Sequence, residues 1–309
     1  MGLSRRHHVA AKGYLRGFAD EHGRLERFGS ERLVHVSGAA VKKDAYLVEL
    51  RDGTRTDEVE RALGVLEDTA VPLLRDLEKG WPLSRSDRAV LAEYLALQMS
   101  RTPDALRRQA QLVEAGLKGA GYRDAPDTGW RQGRDGLRMR AMLAITRHVM
   151  TLVSAMQWSL VKFNAAVLST CDHPVAVVSI DLGQTTADLG VDVANIGELW
   201  LPINSQLLLI CCWRDLPDTR RPLGGLRRVA ESVNGAMRDQ AEAGWYWQPE
   251  TTPPIRDDRP IRVCGQVLFH DYGPTAIRRS SHRAQALREL QSAGADMSGS
   301  ATVFHSRSS

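Results

Sequence analysis

His7 and His8 stand side by side almost at the start of the chain, and Tyr14, Leu15 and Phe18 follow at helical i, i+1, i+4 spacing. Imidazole titrates near neutral pH and is the commonest metal ligand, so the pair offers proton transfer or metal ligation. The trio that follows would pin the segment onto a core. Adjacent side chains on an extended strand point to opposite faces, so both imidazoles serve one metal only if the chain turns there. A second signal lies further on. Leu91, Tyr94 and Leu95 form the apolar stripe of a helix. At about 100° per residue Gln98 falls inside that stripe and Arg101 on its Tyr94 flank. A buried amide needs hydrogen-bond partners, and an unpaired buried guanidinium is costly. The two together imply either a clamped loop or a phosphate or carboxylate ligand.

The elements that must position these groups follow from period and turn chemistry. Residues 24–28 and 32–36 read as a hairpin about Gly29-Ser30, and 45–48 as a third strand. Val59, Leu63, Leu66, Ala70, Leu73, Leu74 and Leu77 mark a long amphipathic helix over 57–77, with Pro72 a possible kink site. Ser84 or Ser86 caps the helix that carries Gln98, which runs to Thr102-Pro103. Residues 139–163 are apolar with few breakers and read as a central helix, in which His148 is expected as a satisfied core histidine. The period then changes. Residues 167–170, 175–180, 199–203 and 207–213 read as strands, with Pro202 marking an edge or a bulge. A helix over 226–243 and a late strand over 261–269 complete the pattern, and Trp245-Tyr246-Trp247 reads as an aromatic strand or helix exit. The expected class is α+β, a helix-rich first half packed on a mainly antiparallel sheet built largely from the second half. Residues 1–295 read as one composite domain and 296–309 as a mobile tail.

Composition narrows the function classes. The chain has 309 residues, of which 43% are hydrophobic, and carries a net charge of +4. Residues 101–147 hold 10 Arg or Lys against 5 Asp or Glu, a local excess that would draw phosphate or simply solvate a helical face. No Gly-rich phosphate loop or zinc-finger spacing is present. Arg5-Arg6 is not followed by an apolar segment, and no run of about 18 apolar residues occurs, so neither a secretory signal nor a membrane span is expected. Cys171, Cys211, Cys212 and Cys264 lack C-x-x-C spacing and read as reduced core cysteines, which suits the cytoplasm.

From His7 to about Trp247 the chain resembles an uncharacterised bacterial family, a domain of unknown function. That family opens His-His-x-Val-Pro-x-x-Tyr-Leu and later carries Gln-x-x-Arg-Thr-Pro and Thr-Ser-Asp-x-Pro-Val. His7-His8, Tyr14-Leu15 and Phe18 fit the first motif, and Gln98, Arg101, Thr102 and Pro103 the second. Asp172, Pro174 and Val175 fit the third, while Glu67 fits an acidic position in the first long helix and Asn234 an Asn in a late one. Two departures stand out: Ala10-Ala11 replaces Val-Pro, and Cys171 stands where the family has serine. The resemblance implies a shared fold and a shared polar site but supplies no activity.

These residues are too polar to be explained together as packing, and they are expected to converge. His7, His8, Asp172 and Glu67 would be the catalytic groups, with Gln98, Arg101 and Asn234 holding substrate. Asp172 would act as a base or, with His8, ligate a divalent metal. Arg101 would clamp a phosphate. The expected reaction is hydrolysis of a phosphoester, in nucleic acid or in a phosphorylated small molecule. The alternative is a non-catalytic binding or regulatory protein in which Asp172 pairs with His7 or Arg101 as a buried structural lock.

Overall fold

The computed structural model describes residues 5–49, 52–102, 105–111, 127–179, 196–213, 221–255, 263–264 and 267–269. Its first half contains β1 (Arg6–His8), a one-turn helix α1 (Lys12–Leu15), a 3-10 turn (Arg16–Phe18), β2 (Arg24–Arg27) and β3 (Val34–His35). β4 (Val41–Lys43), β5 (Val48–Glu49) and β6 (Arg55–Thr56) follow, then helices α2 (Glu58–Arg75), α3 (Arg85–Ser100) and α4 (Asp127–Ala155). The second half adds β7 (Gln157–Lys162), β8 (Thr170–Cys171), β9 (Ala176–Ser179), β10 (Ile196–Asn204), β11 (Leu207–Cys212) and β12 (Leu223–Gly224). It closes with α5 (Arg227–Gln240), β13 (Trp245–Trp247), β14 (Val263–Cys264) and β15 (Val267–Phe269). The class is α+β.

The main sheet runs β12-β7-β11-β10-β9-β15-β14. Its pairs are antiparallel except β12–β7 and β15–β9. A smaller sheet, β3-β2-β13-β8, lets the amino-terminal hairpin join strands of the second half. Among the described residues the larger of two hydrophobic clusters reaches from Val9 to Tyr246 and takes in residues of α2, α3, α4 and the main sheet, and a smaller one gathers Tyr46 and Val48 with Leu63, Leu97, Met139 and Met142.

Four sequence expectations need correction, the first being the strand over 45–48, where 44–46 turn and only Val48 enters a strand. The apolar run over 139–163 is not one helix: α4 stops at Ala155 and 157–162 is a strand. It pairs with β11 from Gln157↔Cys212 to Lys162↔Leu207. A strand buried on both faces reads as a continuous apolar run, which periodicity does not separate from a helix. His148, on α4, is only partly buried rather than a core side chain. The late strand is two short pieces, β14 and β15, paired with each other. Pro202, by contrast, lies in β10 where the register shifts between Pro202 and Asn204. That is the bulge its missing N–H anticipates.

The anchor holds the amino terminus as its spacing predicts. Tyr14, Leu15 and Phe18 are buried. The Tyr14 hydroxyl donates to the Pro202 carbonyl at 2.7 Å and accepts from Thr170 Oγ1 at 2.7 Å. Ala11, at the N-cap of α1, has φ −54°, a value that proline could also adopt. Gly17 passes directly over β10: a Cβ there would lie 2.6 Å from the Ile203 carbonyl oxygen. A backbone carbonyl in a central strand cannot yield, so Gly17→Ala is expected to lose about 1–3 kcal/mol. Urea unfolding measures this, and a loss below about 0.5 kcal/mol would mean that the terminus is not tightly seated.

Candidate functional site

Helix α3 is the element on which the site is built. Ser84 caps it, its Oγ accepting from the Asp87 amide at 3.1 Å and donating to the Asp87 carboxylate at 2.7 Å. The last turn of α3 is enclosed, with Leu95, Ala96, Leu97, Gln98 and Ser100 all buried. The helix packs between α4 and α2. Polar side chains on its last two turns are therefore held away from water. Arg101 follows at the C-cap and is itself only 1% exposed.

Arg101 organises what surrounds it. Its Nη1 donates to Glu67 Oε1 of α2 at 2.5 Å, and its Nε donates to Gln98 Oε1 at 3.3 Å. The Tyr46 hydroxyl donates to the Arg101 carbonyl at 3.3 Å. Burial pulls the guanidinium down, but Glu67 and the phenols of Tyr46 and Tyr94 outweigh it and hold the group charged. Burial raises the Tyr94 phenol, which keeps its proton.

Four buried polar atoms around this pair have no hydrogen-bond partner among the described residues: His8 Nδ1, Tyr94 Oη, Gln98 Nε2 and Arg101 Nη2. Each such atom costs about 1–3 kcal/mol when left unpaired, and native proteins carry few of them. Tyr94, Gln98 and Arg101 follow at i, i+4 and i+7 and so lie on one face of α3. His8 is held electrostatically between Glu67 on one side and Lys12 and Arg101 on the other. Its ring is hydrogen-bonded to the Ala39 carbonyl. Because Nδ1 is unpaired, that bond uses Nε2–H, and the tautomer leaves a lone pair on Nδ1. Burial lowers the imidazole below its ordinary value against the pull of Glu67, which favours this neutral form. The cluster thus offers three donors and one base.

The other expected site residues are placed differently. His7 is fully buried on β1, its Nδ1 accepts from the Tyr46 amide at 2.9 Å, and its ring stacks on Tyr46 at 5.6 Å. Asp172 is also fully buried. Its Oδ1 accepts from the amides of Glu242 and Gly244 at 3.1 and 3.4 Å, and its Oδ2 from Ala243 at 2.8 Å. The carboxylate therefore holds the turn after α5. It pairs with neither His7 nor Arg101, the partners the lock reading assigned to it. Asn234 is satisfied on both ends: Oδ1 accepts from Ser169 N and Oγ at 2.9 Å, and Nδ2 donates to the carbonyls of Val167 and Pro254. The structure gathers His8, Glu67, Gln98 and Arg101, and it places Asp172 and Asn234 in backbone-holding networks. Among the described residues no three His, Cys, Asp or Glu side chains are grouped closely enough to hold a metal ion.

A family model matches residues 6–245, most of the chain. The chain belongs to DUF4238, a family of proteins of unknown function. No curated protein and no solved structure matches it.

Within this family member, sequence reasoning passed over three residues of the Arg101 cluster. Tyr94 reads as part of an apolar stripe, although its i, i+4, i+7 relation to Gln98 and Arg101 was visible. Glu60 precedes Glu67 by two helical turns on the same face of α2. It lies within electrostatic reach of His7, Tyr46, Arg101 and Glu67. Tyr46 lies in a loop, and nothing local in the sequence links it to His7. Cys171 Sγ accepts from the His173 amide at 3.3 Å and sits 3.1 Å from the His173 carbonyl. The sulfur thus takes the local turn contacts a hydroxyl would make. Of the remaining candidates, Trp245–Trp247 form a strand. The tail and much of the basic stretch over 101–147 lie outside the described residues.

Proposed function

We propose that this chain is a hydrolase acting on a phosphoester, in nucleic acid or in a small molecule, and that the phosphoryl oxygens bind on Tyr94 Oη, Gln98 Nε2 and Arg101 Nη2. The observation that supports this reading is the set of unpaired buried atoms: three donors without a partner among the described residues, beside one imidazole lone pair. Donors fixed in a water-poor setting stabilise charge developing on a phosphoryl group. His8 Nδ1 would take the proton of an attacking water, and Glu67 keeps Arg101 oriented. Three buried free cysteines suit a reducing compartment, so we place the reaction in the cytoplasm. Among the described residues no helix is long and apolar enough to cross a membrane. Binding without turnover is the second reading. It is favoured by Asp172, whose two oxygens are both occupied by backbone amides.

Tyr94→Phe tests the reading without enlarging or emptying the core. Removing an unpaired buried hydroxyl is expected to raise the stability of the unliganded protein by about 1 kcal/mol and to weaken inorganic phosphate binding about tenfold. Calorimetric unfolding with and without phosphate measures both. A variant that loses stability and keeps the wild-type phosphate response would contradict the assignment. Phosphate release from phosphoester substrates, present in the wild type and absent in His8→Asn with phosphate binding retained, separates a hydrolase from a binding protein.

A further inference from the structure

We infer that Tyr246 is a positioning residue for His8, and that one peptide group between them fixes the tautomer that leaves Nδ1 as the base. The inference rests on the reading of His8 as the proton acceptor and adds what holds the imidazole in that form.

The peptide group is the one that joins Ala39 to Ala40. Its carbonyl accepts the hydrogen bond from the His8 ring, and its N–H donates to Tyr246 Oη at 3.0 Å. A trans peptide is planar, so its C=O and N–H point in opposite directions and fixing one fixes the other. The Tyr246 hydroxyl, on β13, therefore sets the direction from which the Ala39 carbonyl meets His8. The backbone beside it is pinned as well. His8 lies opposite Val41 in the β1–β4 pair, and the Val9 amide donates to the Ala40 carbonyl at 2.9 Å. Ala39, Ala40 and Tyr246 are all buried, and a Cβ at Gly244 would collide with the Tyr246 hydroxyl.

The backbone at Ala40 shows that this orientation has to be held. Its φ is +50°, in the left-handed region that a residue with a Cβ rarely occupies. Reversing the Ala39–Ala40 peptide, as in the exchange of type II for type I turns, moves the following φ by about 170° into the ordinary negative range. Alanine favours that reversed form, in which the carbonyl turns away from His8. The bond to Tyr246 opposes the reversal, because the Ala40 N–H would leave its acceptor inside the core. Positive φ at a residue other than glycine persists where the surroundings over-determine it. The charged groups that act on His8 are Glu67 on α2, Lys12 on α1 and Arg101 after α3, while Asp172, Cys171 and Arg27 act on Tyr246. Burial raises the Tyr246 phenol, so the acceptor of the Ala40 amide is a neutral hydroxyl.

The test is an NMR titration of the imidazole nitrogens in the isotope-labelled full chain, with His8 identified by its absence from His8→Asn. In the wild type Nε2 is expected to carry the proton at about pH 8, and a proton on Nδ1 there overturns the inference without any variant. In Tyr246→Phe the His8 midpoint is expected to fall by about 0.5–1 pH unit, because the imidazolium loses an aligned acceptor. Adding Ala40→Gly removes the bias toward reversal and is expected to recover at least half of that fall. Each variant is checked for folding by its melt. A folded Tyr246→Phe whose His8 midpoint matches the wild type overturns the inference. So does a fall that Ala40→Gly leaves undiminished, since the disturbance would then lie in β13 at large. Inorganic phosphate binding by Tyr246→Phe, measured by calorimetry, is expected to match the wild type, because the donors on α3 are untouched. A wild type that binds no phosphate overturns the oxyanion reading, and the His8 titration still decides the role of Tyr246.

Discussion

Glu67→Ala is expected to lose about 3–5 kcal/mol of folding stability, the range found when one partner of a buried ion pair is removed. The side chains are unequally enclosed, Arg101 at 1% exposure and Glu67 at 21%. Losing Glu67 leaves a guanidinium in the interior with a single remaining acceptor, Gln98 Oε1. The charge cannot be shed, because arginine stays protonated at any pH that the fold survives. A control separates this from a packing defect. Glu67→Leu combined with Arg101→Met removes both charges and is expected to recover most of the loss, as buried pairs replaced by apolar groups usually do. Urea unfolding of the two single variants and the double variant at pH 7 measures the coupling. A Glu67→Ala loss below about 1 kcal/mol would place the pair among ordinary surface ion pairs. The double variant also carries a functional expectation, because it should fold well and show no phosphate response.

Asp172→Ala is expected to lose at least about 3 kcal/mol, since it leaves three backbone amides without their charged acceptor, each such bond contributing about 1.5–3 kcal/mol. Those amides belong to consecutive residues, Glu242, Ala243 and Gly244, in the turn that leads from α5 to β13. β13 in turn pairs with both β2 and β8, so the carboxylate fixes the join between the amino-terminal hairpin and the rest of the small sheet. Asp172→Asn keeps one acceptor oxygen and is expected to lose about half as much. Both variants should keep the phosphate response of the wild type at a temperature where they are folded. The contrary result, intact stability with phosphate binding gone, would move Asp172 into the ligand site and restore its reading as a catalytic carboxylate.

What the sequence made legible was local. A cap at Ser84 or Ser86, a helix over 57–77 and an edge or bulge at Pro202 follow from rules that act over a few residues; the structure has the cap at Ser84, the helix over 58–75 and a bulge. The Gln98 amide inside an apolar stripe and the neighbouring Arg101 were also readable, because an odd residue in a regular pattern carries information. The role of Asp172 was not readable. Its partners are backbone amides about seventy positions away, and an amide leaves no mark in the sequence. Residues 157–162 were misread for a related reason: a strand buried on both faces takes its identity from β11, which lies beyond any local window. Tyr94 and Glu60 failed differently. One looks apolar and the other like a surface charge until α2 and α3 are seen face to face.

The central claim is that the unpaired donors on α3 hold an oxyanion, and a crystal structure of the protein with tungstate tests it most directly. The anion is expected with oxygens about 2.7–3.1 Å from Arg101 Nη2, Gln98 Nε2 and Tyr94 Oη. Tungstate bound elsewhere, with those three donors turned onto protein acceptors, would contradict the account.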